Sequence, residues 1–81
     1  MINARQIRAA RALTGLGQQE LASLAGCGIA TIRRIEAAAD QITGTAQTIA
    51  RIQRALETAG IVFIEQDGTN GPGVRLKQPL P

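Results

Sequence analysis

The sequence predicts a mainly α protein, four helices followed by a C-terminal β-hairpin. Three observations carry that reading. Apolar residues recur at three- and four-residue spacing in separate segments of the first sixty residues, the period of a helix with one buried face. Capping residues or glycines bound these segments. After Gly60 the pattern changes to β-branched and aromatic residues, then to a run of turn residues, then to apolar and basic alternation. A chain of 81 residues is one folding unit, here read as a helical domain over residues 1–60 and a hairpin with its tail over 61–81.

Asn3 caps a first helix over about residues 4–14, with the stripe Ile7, Ala10, Leu13 and then Leu16. Arg5, Arg8 and Arg11 lie at threefold spacing on an adjoining face. Gly15 and Gly17 interrupt the pattern, and a second helix runs over about 18–25 with Leu21, Ala22 and Ala25 inward. Gly26-Cys27-Gly28 is a tight turn, Gly26 supplying the left-handed residue that ends a helix. A third helix spans about 29–37. Residues 37–45 read as loop, and Thr45 caps a fourth helix over about 46–59, with Ile49, Ile52, Leu56 and Ala59 inward and Gly60 as its stop. Strands over about 61–66 and 73–78 flank the turn-rich stretch Asp67–Gly73, and Pro79-Leu80-Pro81 is a frayed tail.

Composition excludes several function classes. One cysteine and no histidine leave no intrachain disulfide, no Cys/His zinc site and no Ser-His-Asp or Cys-His pair. The six acids are scattered, so no enzyme, metal or cofactor is expected. A single aromatic residue, Phe63, does not make a base-stacking platform for single strands. The longest uninterrupted β-branched and aromatic run is Ile61–Ile64, far short of the ~20 apolar residues of a spanning helix. The first residues lack the apolar core of a signal peptide, so no membrane association and a cytoplasmic location are expected.

Charge has a location. The net charge of +3 belongs entirely to residues 1–60, whose basic side chains are all arginine, while residues 61–81 balance Arg75 and Lys77 against Glu65 and Asp67. Arginine is shaped for bidentate contacts to phosphate and guanine. Two short helices joined by a glycine-containing turn have helix-turn-helix geometry. On a wheel of residues 29–37, Ile29, Ile32, Ile35 and Glu36 cluster on one side. Ala30, Arg34 and Ala37 point the other way, flanked by Thr31 and Arg33. Small residues beside arginine permit close approach to a groove.

Gln18-Gln19-Glu20-Leu21-Ala22, Ala25-Gly26 and Thr31-Ile32-Arg33-Arg34-Ile35-Glu36 together resemble the phage-repressor (Cro/CI-like, XRE) helix-turn-helix family, over about residues 5–59. The resemblance implies a helical domain that docks on double-stranded operator DNA, usually as a dimer. It puts Gln18 where the family has a glutamine that touches a phosphate and supports the recognition helix, and Ile29, Ala30 and Arg34 where base-reading residues lie. It puts Arg11 and Glu36 where many members have a buried ion pair joining the first and third helices. The wheel agrees on this last point, because Glu36 lies beside inward Ile32, where a lone carboxylate is costly. Gly17 and Gly28 stand where the family usually has Ser or Thr caps. Ile29 and Ala30 cannot donate hydrogen bonds, so direct readout rests on Arg34, with Thr31 or Arg33 assisting and Ile29 or Ala30 reaching a thymine methyl.

The phosphate clamps expected around the third helix are Gln18, Arg33, Thr43, Thr45 and Arg8, together with the backbone N–H groups that open the fourth helix. Arg51 and Arg54 are read as solvent-facing, and Cys27 as a small filler. In the hairpin both faces of Ile61-Val62-Phe63-Ile64 are apolar. With Val74 and Leu76 these residues are expected to form a homodimer interface, the alternative being that the hairpin folds back on its own helices. The resulting expectation is a regulator, read as a repressor, that binds a palindromic operator as a homodimer. The alternative is a protein-interaction module, an antitoxin or antiactivator whose helix-turn-helix and hairpin bind another protein.

Overall fold

The computed structural model describes residues 1–38 and 44–81. Thr43 lies outside the described residues. The chain order is α1 (Ala4–Thr14), α2 (Gln18–Ala25), α3 (Ile29–Glu36), α4 (Ala46–Thr58), β1 (Ile61–Ile64) and β2 (Gly73–Leu76). It is mainly α, with a two-stranded antiparallel hairpin at the C-terminal end.

Local chemistry sets the boundaries. Asn3 and Gln6 form a reciprocal capping box at α1: Asn3 Oδ1 accepts from the Gln6 backbone N–H and Gln6 Oε1 accepts from that of Asn3, each at 2.9 Å. Gly15 at φ +76° and Gly26 at φ +71° close α1 and α2 in the left-handed conformation. Gly17, whose backbone N–H donates to Glu20 Oε1 at 3.0 Å, and Gly28 open α2 and α3 from extended backbone. Thr45 Oγ1 accepts the Thr48 N–H at 3.1 Å and starts α4.

The core is built from Ile2, Ile7, Ala10, Leu21, Ala22, Ala25, Ile32, Ile35, Ile49, Ile52, Leu56 and Ile61. Helix α2 packs against both α3 and α4, and α1 touches α3, α4 and both strands. Two residues expected inward are not. Leu13 is 43% exposed, because successive steps of three residues from Ile7 drift about 120° around a helix of 3.6 residues per turn. Leu16, beyond the helix end, packs against the core instead. Ala59 is exposed as the residue that caps α4, where the chain turns off at Gly60.

The hairpin register pairs Ile61 with Leu76, Val62 with Arg75, Phe63 with Val74 and Ile64 with Gly73. Alternation along a strand then puts Ile61, Phe63, Val74 and Leu76 on one face, and that face lies on the protein's own core. The hairpin therefore folds back on α1 and α4, the arrangement set against a purely intersubunit one. Val62 and Ile64 occupy the other face, Val62 half-buried and Ile64 exposed. The strands are shorter than the alternation suggested. Continuing the register would set Glu65 opposite Pro72, whose ring fixes φ at about −65°, far from the ~−140° of an antiparallel strand. Past that point Asp67 Oδ1 orders the loop by accepting from the N–H groups of Thr69 and Asn70, both at 2.7 Å.

Gln6 joins the two ends of the chain. It is 6% exposed, and its Nε2 donates to the backbone carbonyls of Gly73 at 3.0 Å and Ile64 at 3.3 Å, the last pair of the ladder. Its three bonds thus cap α1 and clip the hairpin to it. Replacing it leaves buried polar groups without partners, at about 1–3 kcal/mol for each group stranded. Gln6→Ala is expected to lower the unfolding free energy by about 2–3 kcal/mol in urea. Its amide exchange should rise first in β1 and β2. Uniform exchange across the helices would show that the clip is not local to the hairpin.

Candidate nucleic-acid interface

Helix α3 has one buried and one open side. Ile32, Ile35 and Glu36 are buried, while Ala30, Arg33, Arg34 and Ala37 are exposed. Thr31 is half-buried between them, and Ile29 packs partly against the core, so only part of its side chain faces outward. The open side is therefore short side chains near the tight α2–α3 turn, with the guanidinium groups of Arg33 and Arg34 in the last turn of α3.

The buried side is held by one carboxylate. Arg11 Nε stands 2.7 Å from Glu36 Oε2 and Arg11 Nη2 stands 2.8 Å from Oε1, a bidentate pair between α1 and α3. Gln18 Nε2, at the first residue of α2, donates to Oε1 at 3.1 Å. Arg11 Nη1 reaches the Leu16 carbonyl at 3.2 Å, and Arg8 Nη1 donates to the Glu36 backbone carbonyl. Burial pushes the Glu36 carboxyl up, but hydrogen bonds from Arg11 and Gln18 and the charges of Arg11 and Arg8 outweigh it and hold the group below its ordinary value. The carboxylate is thus kept ionised while 5% exposed.

These contacts bear on the residues assigned to phosphate. Gln18 and Arg8 both have partners inside the protein, and each reaches its surface role, if at all, with its remaining donors. Arg33 is exposed. Thr45 Oγ1 is engaged with Thr48, by its N–H and by its hydroxyl at 3.0 Å, so it acts first as the cap of α4. Residues 44–47 lie at the surface. The bonds of Gln18 and Arg8 to Glu36 span 18 and 28 residues, and no local sequence signal announces them.

Cys27 is half-buried in the turn. Burial pushes its thiol up, and the cation that opposes this is Arg51 of α4 rather than Arg33 or Arg34. A thiol held above its ordinary value is a poor nucleophile. Among the described residues no three His, Cys, Asp or Glu side chains are grouped to hold a metal ion, and no helix is long and apolar enough to cross a membrane.

With the fold and this face described, comparison with known proteins places the chain. The model of a family described as a helix-turn-helix domain matches residues 4–61, well over half of the sequence. The chain belongs to that family, a helix-turn-helix domain of the XRE/Cro-like type. No curated protein matches the chain.

Two outcomes follow from the Glu36 cluster. Arg11→Ala strands a buried carboxylate and is expected to cost about 3 kcal/mol, the low end for a broken buried pair because the guanidinium is partly in water. Equilibrium unfolding in urea measures it, and an unchanged midpoint would mean that the pair carries no stability. Because the folded carboxyl lies below its ordinary value of 4.5, its contribution is complete above that value. It is lost as pH falls through the lower, folded value. Wild-type stability should therefore drop between pH 5 and pH 3 by more than that of Glu36→Gln, and parallel curves would remove Glu36 as the acid-sensitive group.

Proposed function

We propose that this protein is a transcriptional regulator that reads double-stranded DNA with the open side of α3, and that it represses by occupying a palindromic operator as a homodimer in the cytoplasm. The observation that carries the reading is the exposed Ala30–Arg33–Arg34 face on a helix whose other side is locked to α1 and α2 through Glu36. A helix fixed in this way can enter a major groove without being ordered at the moment of binding. The net charge of +3, carried on the helical part, favours a polyanion.

The roles divide by chemistry. Arg34 supplies the bidentate donor for guanine, Thr31 assists, and Ala30 and the outward part of Ile29 meet thymine methyl groups. Arg33, with Gln18, Thr45 and the surface N–H groups that begin α4, sits where phosphates flank the groove. Arg8 and Thr43 are further candidates. Arg11 and Glu36 hold the geometry. No catalytic step belongs to this reading.

A palindromic site needs two readers about 34 Å apart. With Ile61, Phe63, Val74 and Leu76 turned to their own core, the surface left for a partner is the outer face of the hairpin, Val62 and Ile64, with its two open strand edges. That narrows the dimer interface to two of the six hairpin residues first assigned to it.

Selection from a random duplex library at about 150 mM salt tests the whole reading. An inverted repeat with half-sites one helical turn apart is expected. Sequence-blind binding that vanishes with salt would remove the DNA role and favour protein contacts. On the selected site, Arg34→Ala should cost about 1–3 kcal/mol with little change on random duplex. Arg33→Ala should weaken both and reduce the slope of log affinity against log salt by about 0.9. Ile64→Asp should lower the dimer fraction in sedimentation while leaving the melting temperature near that of the parent, since Ile64 is already 42% exposed.

A further inference from the structure

Helix α4 carries a second stripe that the DNA reading does not use. Arg51, Arg54, Ala55, Thr58 and the capping Ala59 stand at i, i+3, i+4, i+7 and i+8, a single helix face whose Ala55 also touches the core. Together with Leu24 and Ala25 of α2 they line a surface groove of about 410 Å3. Leu24 is 60% exposed. Ala25 and Ala55 form its floor against the core, and Ala59 is exposed at one end. No acid lines the groove, and among the described residues neither Arg51 nor Arg54 has an ion-pair partner.

From this juxtaposition we infer that the α2–α4 groove binds an acidic amphipathic helix of a partner protein. Its apolar side chains would lie on Leu24 and the alanines, and its carboxylates would lie against Arg51 and Arg54. Charge decides among the possible occupants. A second copy docked here about a twofold axis would set the groove against itself, and no acid in it could meet the two arginines. Phosphate would satisfy the arginines but would leave Leu24 and the alanine floor unused. An acidic amphipathic helix satisfies both, the arrangement of apolar anchors laid in a groove with complementary charge at its edges. The inference stands apart from the DNA reading, because the groove and the open side of α3 share no residue.

A fluorescein-labelled peptide of about 15 residues, helical by design, with leucines along one face and glutamates flanking them, is the probe. Saturable binding is expected, with amide shift changes at Leu24, Ala25, Ala55 and Ala59. Replacing both arginines (Arg51→Glu, Arg54→Glu) should weaken it at least about tenfold, the scale of one lost charge pair, and should restore binding to the lysine version of the peptide. Leu24→Ser should weaken both peptides, while affinity for DNA stays unchanged in every variant. Equal binding of the two peptides by the parent protein would overturn the proposal. So would DNA-induced shifts centred on Arg51 and Arg54, which assign the groove to phosphate, or loss of self-association in Leu24→Ser, which assigns it to a second copy.

Discussion

The arrangement of the first three helices depends on one buried carboxylate. Glu36 at the end of α3 takes the guanidinium of Arg11 from α1 and the amide of Gln18 from α2, while Arg8 holds the carbonyl of the same residue. Isoleucine and leucine packing turns one face of each helix inward but fixes the rotation about its axis only coarsely. A bidentate pair with a third donor chooses one, because its atoms must meet within hydrogen-bonding distance. The rotation chosen leaves Ala30, Arg33 and Arg34 outside. The stability of the domain and the presentation of the exposed face of α3 therefore have a common origin, and the former is acid-sensitive for the same reason.

A second constraint operates at the other end of the molecule. The helix-turn-helix match covers residues 4–61, and the strands beyond it are held by apolar packing and by Gln6. The side chain that caps α1 also completes the hairpin, so the added element is not a detached appendage. Only one of its faces is satisfied in this way. The contrast between Ile61, Phe63, Val74 and Leu76 inside and Val62 and Ile64 outside is the structural content of the apolar run.

Much of this was legible in the sequence, and the reasons differ by element. The helix boundaries followed from Asn3, Thr45 and the glycines, whose effects act over three or four residues. The inward set of α2 and α3 followed from spacing. Leu13 was misread because a three-residue repeat was extended past the point where it still tracks one face. The first strand was drawn too long because Pro72 was read only as a turn residue and not as a break in extended backbone opposite Glu65. Gln6 and Arg8 show the real limit. Nothing near them in sequence points to partners 28 to 67 residues away. Gln18 and Glu36 were legible through the resemblance, and Glu36 also because an acid beside inward isoleucines demands a partner.

The contact between Gln6 and Gly73 also has a consequence for how the protein comes into being. Ile2 and Ile7 are core residues, and the strand that packs on α1 is the last element of the chain. During synthesis α1 emerges first, yet its neighbour arrives only when residues 73–76 have left the ribosome. Until then a partly assembled helical unit lacks the strands that pack on α1 and the partners of the Gln6 amide, and closing the structure means joining segments 67 residues apart. Contacts of such separation slow folding relative to the local helix contacts made before them. Assembly of this unit thus has an ordered late step, in which residues 73–76 close over a helix made well before them.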